Sequence, residues 1–220
     1  MAFAGLRQEG LTKARIEALT DGIFATVMTI LVLTLHVPQS NVPVPEQDLA
    51  GEVLRLWPSI LVYVLSFVTL GLYWVGHHAQ FHYIKHADRP LLWINILFLL
   101  TIGFIPFSTS LLQDYPWPPT AVRVYGANLI ANGLLLLSIW LYATGKRRLV
   151  DKDLDPHIIA TARNRTLVGP MMFTLGIIAS FIDTRASVIL YTLVVPFYIR
   201  PSHIDIHFRG GTHRENEREN

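Results

Sequence analysis

Residues 11–37 read LTKARIEALTDGIFATVMTILVLTLHV, a stretch that begins charged and ends apolar. Arg15, Glu17 and Asp21 fall in its first turns, and no Asp, Glu, Lys or Arg follows through Val37. Some 20 apolar helical residues cross the ~30 Å hydrocarbon core of a bilayer. The stretch therefore predicts a helix that enters a membrane and spans it over roughly residues 20–37. An acidic side chain costs more the deeper it sits in such a helix. Asp21 should then either face a protein partner or sit at the positively polarised start of the helix; the sequence leaves both open. The charged run before the span, with no small-residue cleavage site after it, reads as a retained segment and not a secretory signal.

The same criterion applied outward finds five further spans, at roughly 57–79, 91–113, 120–144, 166–182 and 185–200. Six apolar helices make this an all-α membrane protein. Its composition agrees: of 220 residues, 51% are hydrophobic and only 15% charged, against about 25% charged in soluble domains. Mean hydropathy is +0.39. These values exclude disorder, argue against a soluble enzyme and leave no room for a separate soluble domain. Residues 1–205 are assigned to one six-helix domain, and 206–220 to a polar tail expected to be disordered. The absence of Cys excludes a disulfide scaffold, a thiolate metal site and a Cys nucleophile.

Eighteen Lys and Arg nearly balance 16 Asp and Glu, yet they are sorted by loop. Arg7, Lys13, Arg15, Lys85, Arg89, Lys146, Arg147, Arg148, Lys152, Arg163, Arg165, Arg200, Arg209, Arg214 and Arg218 fall on one side, and only Arg55, Arg123 and Arg185 on the other. By the positive-inside rule both termini are cytoplasmic, which requires an even number of spans. Charge sorting and hydropathy thus agree on six, in a multi-pass protein of the cell membrane.

Residues 38–50, with Pro38, Pro43 and Pro45, read as an outer loop. Tyr115 to Pro119 reads as a second outer turn with aromatics at headgroup level. Lys146 to Pro156 is a charged inner linker whose Asp151, Asp153 and Asp155 lack the Gly and terminal Glu of a calcium loop. Pro106, Pro170 and Pro196 should kink their helices. Thr101, Asn95, Asn128 and Asn132 should bond other helices, at about 1 kcal/mol each. On the first helix, Thr26, Ile30 and Leu33 follow i, i+4, i+7 spacing with Thr29 beside them. Such a stripe packs against a neighbouring helix or lines a narrow pore where copies converge.

Several clusters along the first three spans resemble the TMEM175-type potassium channels, the DUF1211 family. Arg15-Ile-Glu-Ala-Leu19-Thr20-Asp21 is similar to that family's Arg-x-x-x-Phe-Ser-Asp opening. Tyr73-Trp74-Val-Gly-His77-His78-Ala-Gln-Phe81, Asp88-Arg89-Pro-Leu91-Leu92-Trp93-Ile-Asn95 and Ile105-Pro106-Phe107-Ser108-Thr109 follow in order. The resemblance is close over residues 13–113. It implies a six-helix subunit in a homotetramer, with the first helix of each copy lining a central pore and monovalent cations, K⁺ foremost, as the permeant species. No Thr-Val-Gly-Tyr-Gly filter is present; Val124-Tyr125-Gly126 is a fragment inside a span. The positions resembling the pore lining are Thr26, Thr29, Ile30 and Leu33. Thr26 stands where the family usually has Ile or Leu, so the narrowest aliphatic ring is expected at Ile30 or Leu33. Arg15 and Asp21 resemble a cytoplasmic network tying the first helix to the next two, with Trp74, His77 and Asn95 as partners.

The resemblance implies no cofactor, no resident metal, no nucleic-acid partner and no enzyme activity. His77, His78, His82 and His86 cluster at one end of the second span, and a His-rich membrane metalloenzyme is one rival reading; the remaining histidines, however, are scattered. The same cluster could instead make conduction sensitive to cytoplasmic pH. The other rival is a proton-coupled secondary transporter, yet every Asp and Glu lies at or near a span end.

Overall fold

The computed structural model describes residues 13–36, 46–116 and 118–199. Within them the chain forms α1 (Lys13–Leu31), α2 (Glu46–Arg55), α3 (Trp57–Tyr83), α4 (Arg89–Gly103), α5 (Ile105–Asp114), α6 (Pro119–Thr144), α7 (Pro156–Ala179) and α8 (Thr184–Ile199). Four helical stretches are long and apolar enough to cross a membrane: Lys13–Thr34, Trp57–Tyr83, Arg89–Asp114 and Pro119–Arg147; Thr184–Tyr198 is apolar but shorter. The N-terminal half of α7 carries Arg163, Asn164 and Arg165, which dilutes its hydropathy.

The sequence starts and stops these helices where chemistry allows. Asp88 caps α4, its carboxylate accepting from the Leu91 N–H at 3.0 Å, with Pro90 in the first turn, where no N–H partner is needed. Asp155 caps α7 in the same way through the His157 N–H at 2.8 Å. The expected break at Pro106 is present: α4 ends at Gly103, Phe104 turns the chain, and α5 resumes at Ile105. Helices α7 and α8, by contrast, run through Pro170 and Pro196.

Two boundaries differ from the sequence reading. The outer segment 38–50 is not wholly a loop, because residues 46–50 open α2, which leaves Leu49, Val53 and Leu54 exposed. Helix α7 starts at Pro156, ten residues before the predicted span at 166, because the Asp155 cap nucleates it outside the apolar stretch. Pro38, Pro43, Pro45, Trp117, Arg7, the cations from Arg200 onward and the predicted tail 206–220 lie outside the described residues.

Helix α6 is the hub, packing on α4, α5 and α7, while α7 packs on α8 and α1 packs on α3 and α4. Its Tyr125, Leu129, Ile139 and Trp140 are fully buried. Close approach depends on glycine at Gly126, Gly133 and Gly176. A Cβ on Gly133 would stand 2.5 Å from Pro170 Cγ, and one on Gly176 would stand 2.2 Å from Tyr191 Cε1.

The predicted interhelical hydrogen bonds form a ladder through this core. Thr101 Oγ1 donates to Asn132 Oδ1 at 2.8 Å, Asn128 Nδ2 to Ser108 Oγ at 3.1 Å, and Thr109 Oγ1 to Ser66 Oγ at 2.9 Å. Every rung joins two helices, so burial of these polar groups specifies which helices are neighbours. At one end the α3–α4 and α6–α7 connections meet: Ile84 bridges Val150, Lys85 N–H donates to Leu149 O at 2.8 Å, and Lys85 pairs with Asp151 at 3.7 Å. Tyr142 also donates to Asp88 Oδ2 at 2.6 Å.

Candidate pore-lining helix and its polar anchor

Helix α1 has two unlike faces. Ile16, Thr20, Phe24, Val27 and Leu31, spaced three or four apart, are buried, with the Phe24 ring 6.0 Å from Phe98 on α4. Thr26, Thr29, Ile30 and Leu33 are all exposed on the other side, Leu33 to 71% and Ile30 to 44%. The structure thus brings the four predicted pore residues onto one unpartnered face of the subunit. The stripe is not purely α-helical, however. The α-helix ends at Leu31, and Val32–Thr34 form a 3₁₀ turn, which has three residues per turn and so rotates Leu33 relative to an α-helical continuation.

Both threonines on this face spend their hydroxyl hydrogens on their own helix. Thr26 Oγ1 donates to Gly22 O at 2.8 Å, and Thr29 Oγ1 to Thr26 O at 2.7 Å. Each hydroxyl keeps only acceptor capacity outward. An exposed helix face with oxygen acceptors at one level and branched aliphatics beyond can offer a dehydrated cation ligands and deny a hydrated one passage.

The buried face is fixed by a polar chain. Asn95 on α4 donates through Nδ2 to Thr20 Oγ1 at 3.1 Å and accepts through Oδ1 from His77 Nε2 on α3 at 2.9 Å. Thr20 and Asn95 are 0% exposed and His77 3%. The His77 ring is sandwiched between Phe81 (centroids 4.2 Å apart) and Phe98 (5.7 Å). Beside this chain, Trp74 Nε1 donates to Asp21 Oδ1 at 2.8 Å, and Trp74 stacks on His78 at 5.5 Å. Three helices are thereby held in one register at the foot of α1.

Asp21, Trp74, His77 and Asn95 are therefore brought together, and Arg15 is not. Arg15 is exposed and makes no hydrogen bond or ion pair among the described residues. By helical spacing it shares the face of Thr26 and Leu33, eleven and eighteen residues further on. Thr20, to which the sequence reading assigns no role, is the α1 member of the buried chain; a hydroxyl at the Ile16–Thr20–Phe24 spacing is its signal in the sequence. Of the histidines, His78, His82 and His86 are exposed, and among the described residues no group of three or more His, Asp or Glu is placed to hold a metal ion.

Asp21→Ala should remove the Trp74 tie at a cost of about 1 kcal/mol. The expected result is less assembled oligomer on size exclusion, with unchanged ion preference in what assembles. Normal assembly with altered ion preference would reverse the anchoring role.

The model of the family described as the endosomal/lysosomal potassium channel TMEM175 matches residues 15–106. A potassium channel of Chamaesiphon minutus is 33% identical over 190 residues, covering 84% of this chain and 93% of that one. A potassium channel of Streptomyces collinus is 29% identical over 188 residues, 84% of this chain and 90% of that one. The human endosomal/lysosomal proton channel TMEM175 is 30% identical over 146 residues, 61% of this chain but only 29% of the longer human protein. Among solved structures, the crystal structure of a lysosomal potassium-selective channel TMEM175 homolog from Chamaesiphon minutus superposes with a TM-score of 0.75 at 30% identity, covering 84% of this chain and 95% of that one.

Proposed function

This chain belongs to the TMEM175 family and is a potassium channel, and we propose that four copies assemble with the exposed face of α1 turned to a shared axis. The observation that carries this reading is the α1 surface itself: Thr26, Thr29, Ile30 and Leu33 are exposed together on one face among the described residues, while the opposite face is anchored through Thr20 and Asn95. In such a tetramer the rings of Ile30 and Leu33 form the constriction that excludes hydrated ions until it widens. The Thr26 and Thr29 oxygens replace part of the hydration shell of K⁺.

The four long apolar helices, with α7 and α8 as the remaining pair, make six spans per subunit in the cell membrane. Sorting of the cations then places both termini in the cytoplasm. Permeant K⁺ is the only ion required, and the other partners are the lipid bilayer and further copies of the chain. A proton-coupled transporter is disfavoured, because the apolar stretches carry no Asp or Glu at mid-span.

Bi-ionic reversal potentials of the purified protein in a planar bilayer test the proposal. With K⁺ opposite Na⁺, the current should reverse toward the K⁺ equilibrium potential. A pH gradient under symmetrical K⁺ should leave the reversal potential near zero. Absence of current at any potential, or flux that requires substrate exchange, overturns the reading.

A further inference from the structure

A cavity of about 290 Å³ lies between α3, α6, α7 and α8, away from α1. Its α3 wall runs from Thr69 to Tyr83, about 20 Å at 1.5 Å per residue, so it is long as well as narrow. Polarity is graded along it. The deep end is walled by Leu72, Phe173 and Val194. The two hydroxyls there are already spent: Thr69 donates to Leu65 O at 2.7 Å and Tyr73 to Leu129 O at 2.6 Å. The other end carries Gln80, Thr166 and Arg165. Gln80 is 4% exposed; its Nε2 reaches Thr166 Oγ1 at 3.4 Å, and its Oε1 is buried without a hydrogen-bond partner among the described residues. Arg165 holds the Tyr198 carbonyl at 3.0 Å through Nη2 and brings a cation to the same mouth.

At roughly 30 Å³ per water, this volume corresponds to about ten waters. Its deep wall offers them almost no hydrogen bonds, and large apolar cavities stay dry or take apolar guests. An occupant that is apolar over most of its length, carries an anionic group at one end and donates one hydrogen bond matches this lining. By the sorting of cations along the chain, Lys85, Arg147 and Arg163 fall on the same membrane side as Arg165, the side at which anionic headgroups are attracted by about 1 kcal/mol per cation.

We propose that this cavity binds one anionic phospholipid per subunit, its headgroup bearing a free hydroxyl as in phosphatidylglycerol. The phosphate lies at Arg165, the headgroup hydroxyl supplies the donor that Gln80 Oε1 lacks, and one acyl chain runs along α3 toward Thr69. The inference rests on the membrane reading of the fold and is independent of the pore assignment of α1.

The test is native mass spectrometry of the full chain released from nanodiscs of equal phosphatidylglycerol and phosphatidylcholine. Wild-type protein should retain phosphatidylglycerol about tenfold over phosphatidylcholine, the factor given by one hydrogen bond to the buried Gln80 Oε1 that the choline headgroup cannot donate. Gln80→Leu should abolish the preference, whereas Arg165→Gln should weaken retention of both lipids and Arg165→Lys should keep most of it. Ala79→Phe, which fills the lumen from the α3 wall, should abolish retention of either lipid; Ala162→Leu does the same from the α7 wall should the first variant fail to fold. Equal retention of both lipids by the wild type overturns the proposal. So does phosphatidylglycerol retention that survives both filling variants, or displacement of the lipid by inorganic phosphate alone. Lipid retention is read without ion flux, so a failed channel assay leaves this result standing by itself.

Discussion

Replacing Ile30 and Leu33 together by alanine should raise K⁺ flux into reconstituted liposomes about tenfold or more, equivalent to at least ~1.4 kcal/mol off the barrier to permeation. Both side chains stand on the exposed face of α1, and neither takes part in the packing of that helix against α3 and α4. Truncating them therefore leaves the subunit core intact. In a four-fold assembly each substitution removes methyl and methylene groups from four converging side chains at one level. That widens the constriction and lowers the cost of keeping it wet. Liposome flux with a K⁺-loaded interior measures the effect, and each single variant should fall between the wild type and the pair. Flux that stays at the wild-type level in both single variants and in the pair places the constriction elsewhere on the chain.

The largest loss of stability is expected from Asn95→Leu. The leucine fills a similar volume but leaves the His77 Nε2–H and the Thr20 hydroxyl buried without their present partner. Each such orphan costs about 1–3 kcal/mol, and bonds of this kind inside membranes average toward the low end of that range. A total near 2 kcal/mol corresponds to a fall in melting temperature of about 5 °C for a chain of this size. Following thermal unfolding in detergent checks this. The triple variant Thr20→Val, His77→Phe, Asn95→Leu should recover most of the loss, since replacing all partners by apolar groups removes the orphans along with the bonds. A single variant that melts like the wild type shows that Asn95 is not what holds α1.

The fold was legible wherever the bilayer dictated it. Hydropathy located α3, α4 with α5, and α6 to within a few residues, because a spanning helix must keep its backbone hydrogen bonds internal and its surface apolar. The break at Phe104 was readable from Pro106. The helical residues 46–50 and the early start of α7 were not, because polar, capped helix outside the bilayer carries no hydropathy signal. At the foot of α1, Asp21, Trp74, His77 and Asn95 were identifiable from a resembling cluster order. Thr20 stood inside the resembling motif without a role assigned to it, and Arg15, grouped with the network by resemblance, is exposed and makes no bond to it among the described residues.

The sequence alone determined that this chain is a bundle of apolar helices, which end carries the cations, and which four residues share a stripe on the first helix. These follow from local periodicity and from the cost of placing charge in hydrocarbon. Only the tertiary structure decided that the stripe is left unpartnered while Thr20, Asn95 and His77 hold the opposite face. Only it, too, opened a graded cavity among α3, α6, α7 and α8. Which side of a helix is buried depends on the helices it meets, and those meetings join residues as far apart in the chain as Thr20 and Asn95, 75 positions.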